Sequence, residues 1–304
     1  RTRSGDIITS VDLHRAEDMG LIKYDVLNID ALEKIHEELN LLIEDGYIKW
    51  QGSLKDTYFK YLDVYAIERE NSEIWDMIDE HKILSLFQFE KASGWNCIEQ
   101  GKPRSLSELT ALNSVMRLMT QEGETETPLE IYSRHRKDIN TWYQEMTNYG
   151  LTKEEQEILK ELALQNYGLL PNQENFMLAV QHPALGGFDL LWADKLRKSI
   201  AKKNPKAFNE LQDEYFKIIK EKGLSEKLCS YTWNKLICMS KGYGFNASHT
   251  LAYSIVGLQE ANLAYHYPVV YWNCANLISD SGGQDGTVNY GKIAAAVGRM
   301  RKEG

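Results

Sequence analysis

At 304 residues the chain is long enough for about two domains of roughly 150 residues, or for one large domain with an appendage. Hydrophobic residues make up 43% and charged residues 26%, which excludes a disordered tail, a collagen-like repeat and a disulfide scaffold. No run approaches 18 apolar residues, so no membrane span is expected, and the formal charge of -9 argues against a general nucleic-acid coat while leaving room for a local basic site. No initiator Met precedes Arg1 and nothing reads as a signal peptide, so an internal piece of a longer, cytoplasmic chain is expected. Cys97, Cys229, Cys238 and Cys274 are scattered without a C-x-x-C pair, which predicts buried reduced thiols rather than a structural metal.

The first stretch reads as strand: Asp6-Ile-Ile-Thr-Ser-Val11 and Leu21-Ile-Lys-Tyr-Asp-Val26, with a helical turn around Ala16-Glu-Asp-Met19 between them. Asp30-Ala-Leu-Glu33 then carries a cap residue and an acid three places on, followed by Ile35, Leu39, Leu42 and Ile43 at helical spacing. Two more capping boxes stand at Ser105-Leu-Ser-Glu108 and Thr152-Lys-Glu-Glu155. Helical periodicity covers about 128–148, 152–166, 186–203, 206–222, 226–240 and 249–277, and only six prolines interrupt the chain. The acidic Thr120–Thr127 and the Gly-rich Ser279–Gly286 read as hinges or surface loops. The predicted fold is therefore mainly α, a helical domain preceded by a short N-terminal β remnant.

Three features could carry chemistry. On a strand, Lys23 and Asp25 project to the same side, where the carboxylate could hold a hard divalent ion and the Lys meet phosphate; a surface ion pair would look the same. In Trp192–Pro205, Ala193, Leu196 and Ile200 define a buried face, while Lys195, Lys198 and Lys202 form a positive stripe flanked by Arg197 and Lys203. Such a stripe suits polyphosphate, although a solvated helix face gives the same pattern. In Gly242-Tyr-Gly-Phe-Asn-Ala-Ser-His-Thr-Leu-Ala-Tyr253, a bend leads into a helix whose first N–H groups could receive an anion near Asn246 and His249; a plain connecting loop is the alternative. His249 has no acid partner in sequence and is not expected to be a general base.

Read in order, these segments resemble the catalytic alpha subunit of bacterial DNA polymerase III, the C-family replicative polymerases. Gly20-Leu-Ile-Lys-Tyr-Asp-Val-Leu27 is similar to the last catalytic strand of the palm, and Leu86-Phe-Gln-Phe-Glu90 to the block "GLFQFES" that opens the fingers. Asn166–Met177 resembles "T-x-G-x-x-x-Y-Q-E-Q-x-M", and Ala193-Asp-Lys-Leu-Arg-Lys198 the helix "AD-x-LR+". Tyr243-Gly-Phe-Asn-Ala-Ser-His249, with Ala252-Tyr253 and His266-Tyr-Pro268 behind it, is close to "YGFNKSH-x-x-AY … HYP". The family's "RPGP" survives only as Arg117-Leu-Met-Thr120, its Lys in "YGFNKSH" is Ala247, and "DFLGL" is Asp25-Val-Leu-Asn-Ile29. Such drift fits a divergent member, with a phage among the conceivable carriers.

The resemblance implies palm over 1–30, helical fingers over 31–280, and a linker with the start of a next module over 281–304. It implies that Asp25 is a catalytic, metal-binding carboxylate and that Lys23, Arg197 and Lys198 grip an incoming deoxynucleoside triphosphate. Lys202, Lys203, Asn246, Ser248 and His249 are expected at the nucleotide or DNA with less defined roles. Two Mg²⁺ ions, a DNA primer-template, deoxynucleoside triphosphates and accessory proteins such as a sliding clamp, reached through other segments, are the implied cofactor and partners. The family's upstream Asp-x-Asp pair is not in this sequence, so these residues alone are expected to be inactive. The alternative expectation is a non-catalytic, polymerase-derived scaffold that binds nucleic acid or nucleotide in a replication complex.

Overall fold

The computed structural model describes residues 5, 7–22, 29–121, 123–241, 244–282 and 288–303. Contacts between Cα atoms divide the chain into Arg1–Asp30 and Ala31–Gly304. Among its described residues the first unit contains one short helix, α1 (Leu13–Asp18), opened by Asp12, whose side chain accepts the Arg15 N–H at 3.0 Å. The two strands expected here are not seen: 7–11 and 21–22 lie in no ladder, and 23–26 fall outside the described residues. A strand exists only by pairing, and the one isolated β contact among the described residues is the parallel bridge Asn172–Phe245 in the other unit.

Among the described residues the second unit is mainly helical, around two hydrophobic cores. In chain order come α2 (Asp30–Glu44), α3 (Leu54–Leu62), α4 (Ser72–Asp79), α5 (Ala92–Gly101), α6 (Leu106–Val115) and α7 (Pro128–Lys137). They form the first core, where Ile35, Leu39 and Leu42 meet Trp75, Leu112 and Tyr132. The second core belongs to α8 (Asn140–Tyr149), α9 (Lys153–Ala163), α10 (Gln173–Gln181), α11 (Leu190–Ala201), α12 (Pro205–Glu221) and α13 (Glu226–Tyr231), centred on Trp142, Phe176, Leu196, Tyr215 and Trp233. The chain then returns to the first core with α14 (Ala247–His266), α15 (Val269–Asp280) and α16 (Tyr290–Glu303), which bury Leu258, Trp272 and Ala296 there.

Helix boundaries follow local chemistry. Ser105 and Thr152 cap α6 and α9 as their sequences predict, and Thr127 with Glu130 adds a reciprocal box before Pro128. The periodic stretch 128–148 is two helices, because Asp138 is extended (φ -148°, ψ 102°) and breaks the ladder. The stretch 249–277 is likewise two, since Pro268 cannot donate to a continuing helix. Expected as one helix, 226–240 runs from α13 into a π-helical turn (Thr232–Leu236) and a 3₁₀ turn (Ile237–Lys241). Its burial explains this: Trp233, Leu236 and Cys238 enter the second core and Met239 the first, more directions than one stripe of a regular helix offers.

The acidic loop after α6 is pinned at two points, Glu124 to Lys235 and Glu126 to Arg134. Cys97, Cys229 and Cys238 are buried free thiols, whereas Cys274 is exposed. Gly168 shows how tightly the second core is made. Its φ is +81°, and a Cβ there would stand 2.6 Å from the Trp142 ring. Gly168→Ala is expected to lower stability by about 2–5 kcal/mol, combining a left-handed L-residue with overpacking. Thermal unfolding followed by tryptophan fluorescence measures it; an unchanged midpoint would contradict the packing described.

Candidate functional site

Helix α11 presents the basic segment because Asp189 caps it, accepting the Trp192 N–H at 2.7 Å, and because Ala193, Leu196 and Ile200 bury its inner face. Arg197 and Lys198 project near one another, drawn together by Asp194, whose two oxygens meet Arg197 Nη2 and Lys198 Nζ at 2.7 Å each. Hydrogen bonds from Lys198 and then Arg197 hold the Asp194 carboxyl below its ordinary range. These side chains are 30–59% exposed, and ion pairs this open to solvent are weak, so a more highly charged anion can replace the carboxylate. Lys195, Lys198 and Lys202 do share one groove, between α11 and α12, but Glu210 and Glu214 of α12 line it as well. Lys203 lies beyond the end of α11 and lines a different cavity.

The segment before α14 forms a second centre. Asn246 caps the helix, its Oδ1 accepting the His249 N–H at 3.1 Å, while the Ser248 hydroxyl donates to the same oxygen. The helix start is not open to an anion in the way its sequence suggests, because Glu174 of α10 occupies it. One Glu174 oxygen accepts from the Asn246 side-chain amide at 2.6 Å and the other from the Ala247 N–H at 2.8 Å. Backbone pairing fixes this register: Gln173 N–H donates to the Phe245 carbonyl at 2.8 Å. Asn246, Ser248 and His249 line one open cavity of about 580 Å³ together with Gln173, Phe245 and Ala252.

His249 lies tilted between Phe245 (ring centroids 4.8 Å apart) and Tyr253 (3.9 Å), and Arg117 lies 4.2 Å over the Phe245 ring. Partial burial, and secondarily the Arg117 charge, lower the His249 pKa and favour neutral imidazole. Arg117, weakly marked in sequence, is thus a member of this wall, and it also donates to Gln88 in the turn after Leu86. Glu174 is within reach of sequence reasoning, since it stands in the quoted segment Asn166–Met177. Its partner cannot be read, because 72 residues separate it from Asn246.

Lys23 and Asp25 lie outside the described residues. Among the described residues no group of three or more His, Cys, Asp or Glu side chains is placed to hold a metal ion, and no helix is long and apolar enough to cross a membrane.

The sequence is similar to those of known proteins. The chain is 41% identical over its whole length to the probable DNA polymerase YorL of Bacillus subtilis, and equally to a DNA-directed DNA polymerase of Bacillus phage SPbeta. It is 28% identical over 97% of its length to DNA polymerase III subunit alpha of Borreliella burgdorferi. The chain spans about a quarter of the length of each of these relatives: 24%, 24% and 23%. Residues 48–223, which include the α10–α11 pair with Glu174, Asp194, Arg197 and Lys198, match the family described as bacterial DNA polymerase III alpha subunit finger domain. With more than half of the chain inside that match, and a mainly helical fold throughout, the chain belongs to the finger-domain family of bacterial DNA polymerase III alpha subunits.

Proposed function

We propose that this chain is the fingers, with the end of the palm, of a DNA-directed DNA polymerase, and that Arg197 and Lys198 bind the incoming deoxynucleoside triphosphate. The observation that carries this reading is the pair of half-exposed cations held side by side at Asp194 on a rigid helix, inside the family match. In the intact enzyme the triphosphate would replace the Asp194 carboxylate, so the cations are pre-positioned and little is lost in ordering them. Lys23 would meet the same triphosphate, and Asp25 would be one metal ligand. Magnesium, when bound, would supply charge neutralisation at the attacking and leaving oxygens. A primer 3′-hydroxyl, giving up its proton to solvent, would attack the α-phosphate as the α–β phosphoanhydride bond breaks, and pyrophosphate would leave with its added negative charge stabilised by Arg197 and Lys198. Asn246, Ser248 and His249 would face nucleotide or template across their cavity, offering hydrogen bonds to it. The intact protein would work on primer-template DNA in the cytoplasm.

The test is titration of the 304-residue chain with Mg²⁺ and a deoxynucleoside triphosphate, beside primer extension. The expected result is binding that Arg197→Glu/Lys198→Glu abolishes, with no extension, since one palm carboxylate cannot place two ions. Binding that survives the charge reversal would refute the assignment. Binding without extension in the full-length protein would favour a non-catalytic scaffold.

A further inference from the structure

At the end of α11 the backbone takes a left-handed step at Lys203 (φ 48°), with Lys203 N–H bonded to Ile200 O and Asn204 N–H to Ser199 O, both at 3.0 Å. Glycine would adopt this turn at about 1 kcal/mol less strain, so the left-handed step is a small local cost of Lys203 at this position. The 3₁₀ turn Ile237–Lys241 is drawn alongside by Met119, whose N–H donates to the Met239 carbonyl at 2.9 Å. The Lys241 ammonium then lies 4.5 Å over the Phe208 ring. Between Lys203 and Lys241 opens a cavity of about 320 Å³, within the size range of small-ligand sites. Ile200 and Phe208, 2% and 3% exposed, close its floor, the exposed Met119 and Pro205 wall it with apolar surface, and Asn209 adds a polar edge.

Among the described residues no carboxylate lines this cavity. That separates it from the groove on the other side of Asn204, where Glu210 and Glu214 offset Lys195, Lys198 and Lys202. Among the described residues neither Lys203 nor Lys241 is in an ion pair, whereas Arg197 and Lys198 share Asp194. Lys241 also meets the Cys238 thiol and the Phe208 ring, neither of which cancels its charge, so two cations without a carboxylate partner at the rim of an apolar cavity select a ligand that is anionic at one end and apolar beside it. We propose that this cavity binds a phosphodiester of an unpaired nucleic-acid strand, with the adjoining base against Met119 and Pro205. The proposal rests on the polymerase reading above, which brings a template strand to this domain. Duplex DNA offers the phosphate but keeps its bases stacked and paired, so the apolar wall favours the single strand.

The test uses the intact polymerase that contains this chain, with anisotropy measured on blunt duplex and on primer-template carrying a single-stranded overhang. Lys241→Glu is expected to weaken overhang binding about tenfold, and to reduce the salt slope of log K by about 0.7, the value for one single-strand phosphate contact. Lys241→Arg should restore it, and blunt duplex affinity should stay within about twofold. Lys203→Gly removes the second cation while relieving the left-handed step, so it should weaken overhang binding several-fold at unchanged or raised thermal stability. Equal losses on blunt and overhanging DNA, or no loss on either, would overturn the site. A parent enzyme that bound neither DNA would instead remove the polymerase reading on which the site depends.

Discussion

Arg197→Ala/Lys198→Ala in the intact polymerase is expected to lower kcat/KM for the incoming nucleotide by about 10²–10³-fold, with primer-template affinity nearly unchanged. The magnitude follows from two charge-assisted contacts to phosphate at roughly 1.5–3 kcal/mol each, reduced because groups on one ligand are not additive. If the cations grip substrate and transition state alike, the loss falls on KM. If they meet charge that develops on the leaving pyrophosphate, it falls on kcat. Asp194 sharpens the experiment. With both cations removed, its carboxylate is left facing the triphosphate and adds repulsion, so part of the loss is not the loss of binding groups. Adding Asp194→Asn to the double variant should recover some activity, whereas Asp194→Asn alone leaves the cations in place without their internal partner and should tighten nucleotide binding. Nucleotide kinetics equal to the parent in the double variant would end this assignment.

The parts of this domain legible in sequence are those governed by near neighbours. Ser105 and Thr152 announce helix starts because the N–H groups they cap lie three residues on, and α11 is visible because Ala193, Leu196 and Ile200 repeat at helical spacing. The same local logic fails where burial comes from several directions. Around Trp233 the chain serves two cores, and its apolar pattern reads as a plain helix although the backbone widens and then tightens. Strand propensity in 7–11 meets no partner among the described residues, so it yields no ladder. At the candidate site, the stripe of lysines is a property of one helix and can be read. Glu174 at Asn246, Arg117 over Phe245 and Lys241 beside Lys203 are products of tertiary folding, and no spacing rule joins them. The opposing Glu210 and Glu214 are equally invisible, which is why the stripe looks more electropositive in sequence than its groove is.

Glu38→Gln is expected to make the protein more stable at alkaline pH and to change little in acid. Glu38 sits on the core face of α2 among Ile35, Leu39 and Leu42, fully buried, and neither carboxylate oxygen has a hydrogen-bond partner among the described residues. Burial pushes its pKa from 4.5 up to about 8. The sign follows from proton uptake: between these two values the folded chain holds a proton that the unfolded chain has released. Stability is therefore intact below about pH 4.5, falls as pH rises through 8 and levels off above it, by roughly 5 kcal/mol at most. Its surroundings do not offset this. Glu260 of α14 is a second buried acid, also raised chiefly by burial, although it accepts the Phe87 N–H at 2.7 Å and feels the Lys34 charge. The Lys34 ammonium points to the Ser85 hydroxyl at 3.5 Å. The amide introduced by Glu38→Gln cannot ionise, so the difference between parent and variant reports this group together with its coupling to Glu260 and Tyr267, both of which its charge pushes up. Denaturant unfolding at pH 5 and pH 9 measures it: the curves should nearly coincide at the lower pH and separate by several kcal/mol at the higher. A constant gap between them would mean that Glu38 does not change its protonation on unfolding, and the buried, unpartnered carboxyl described here would be wrong.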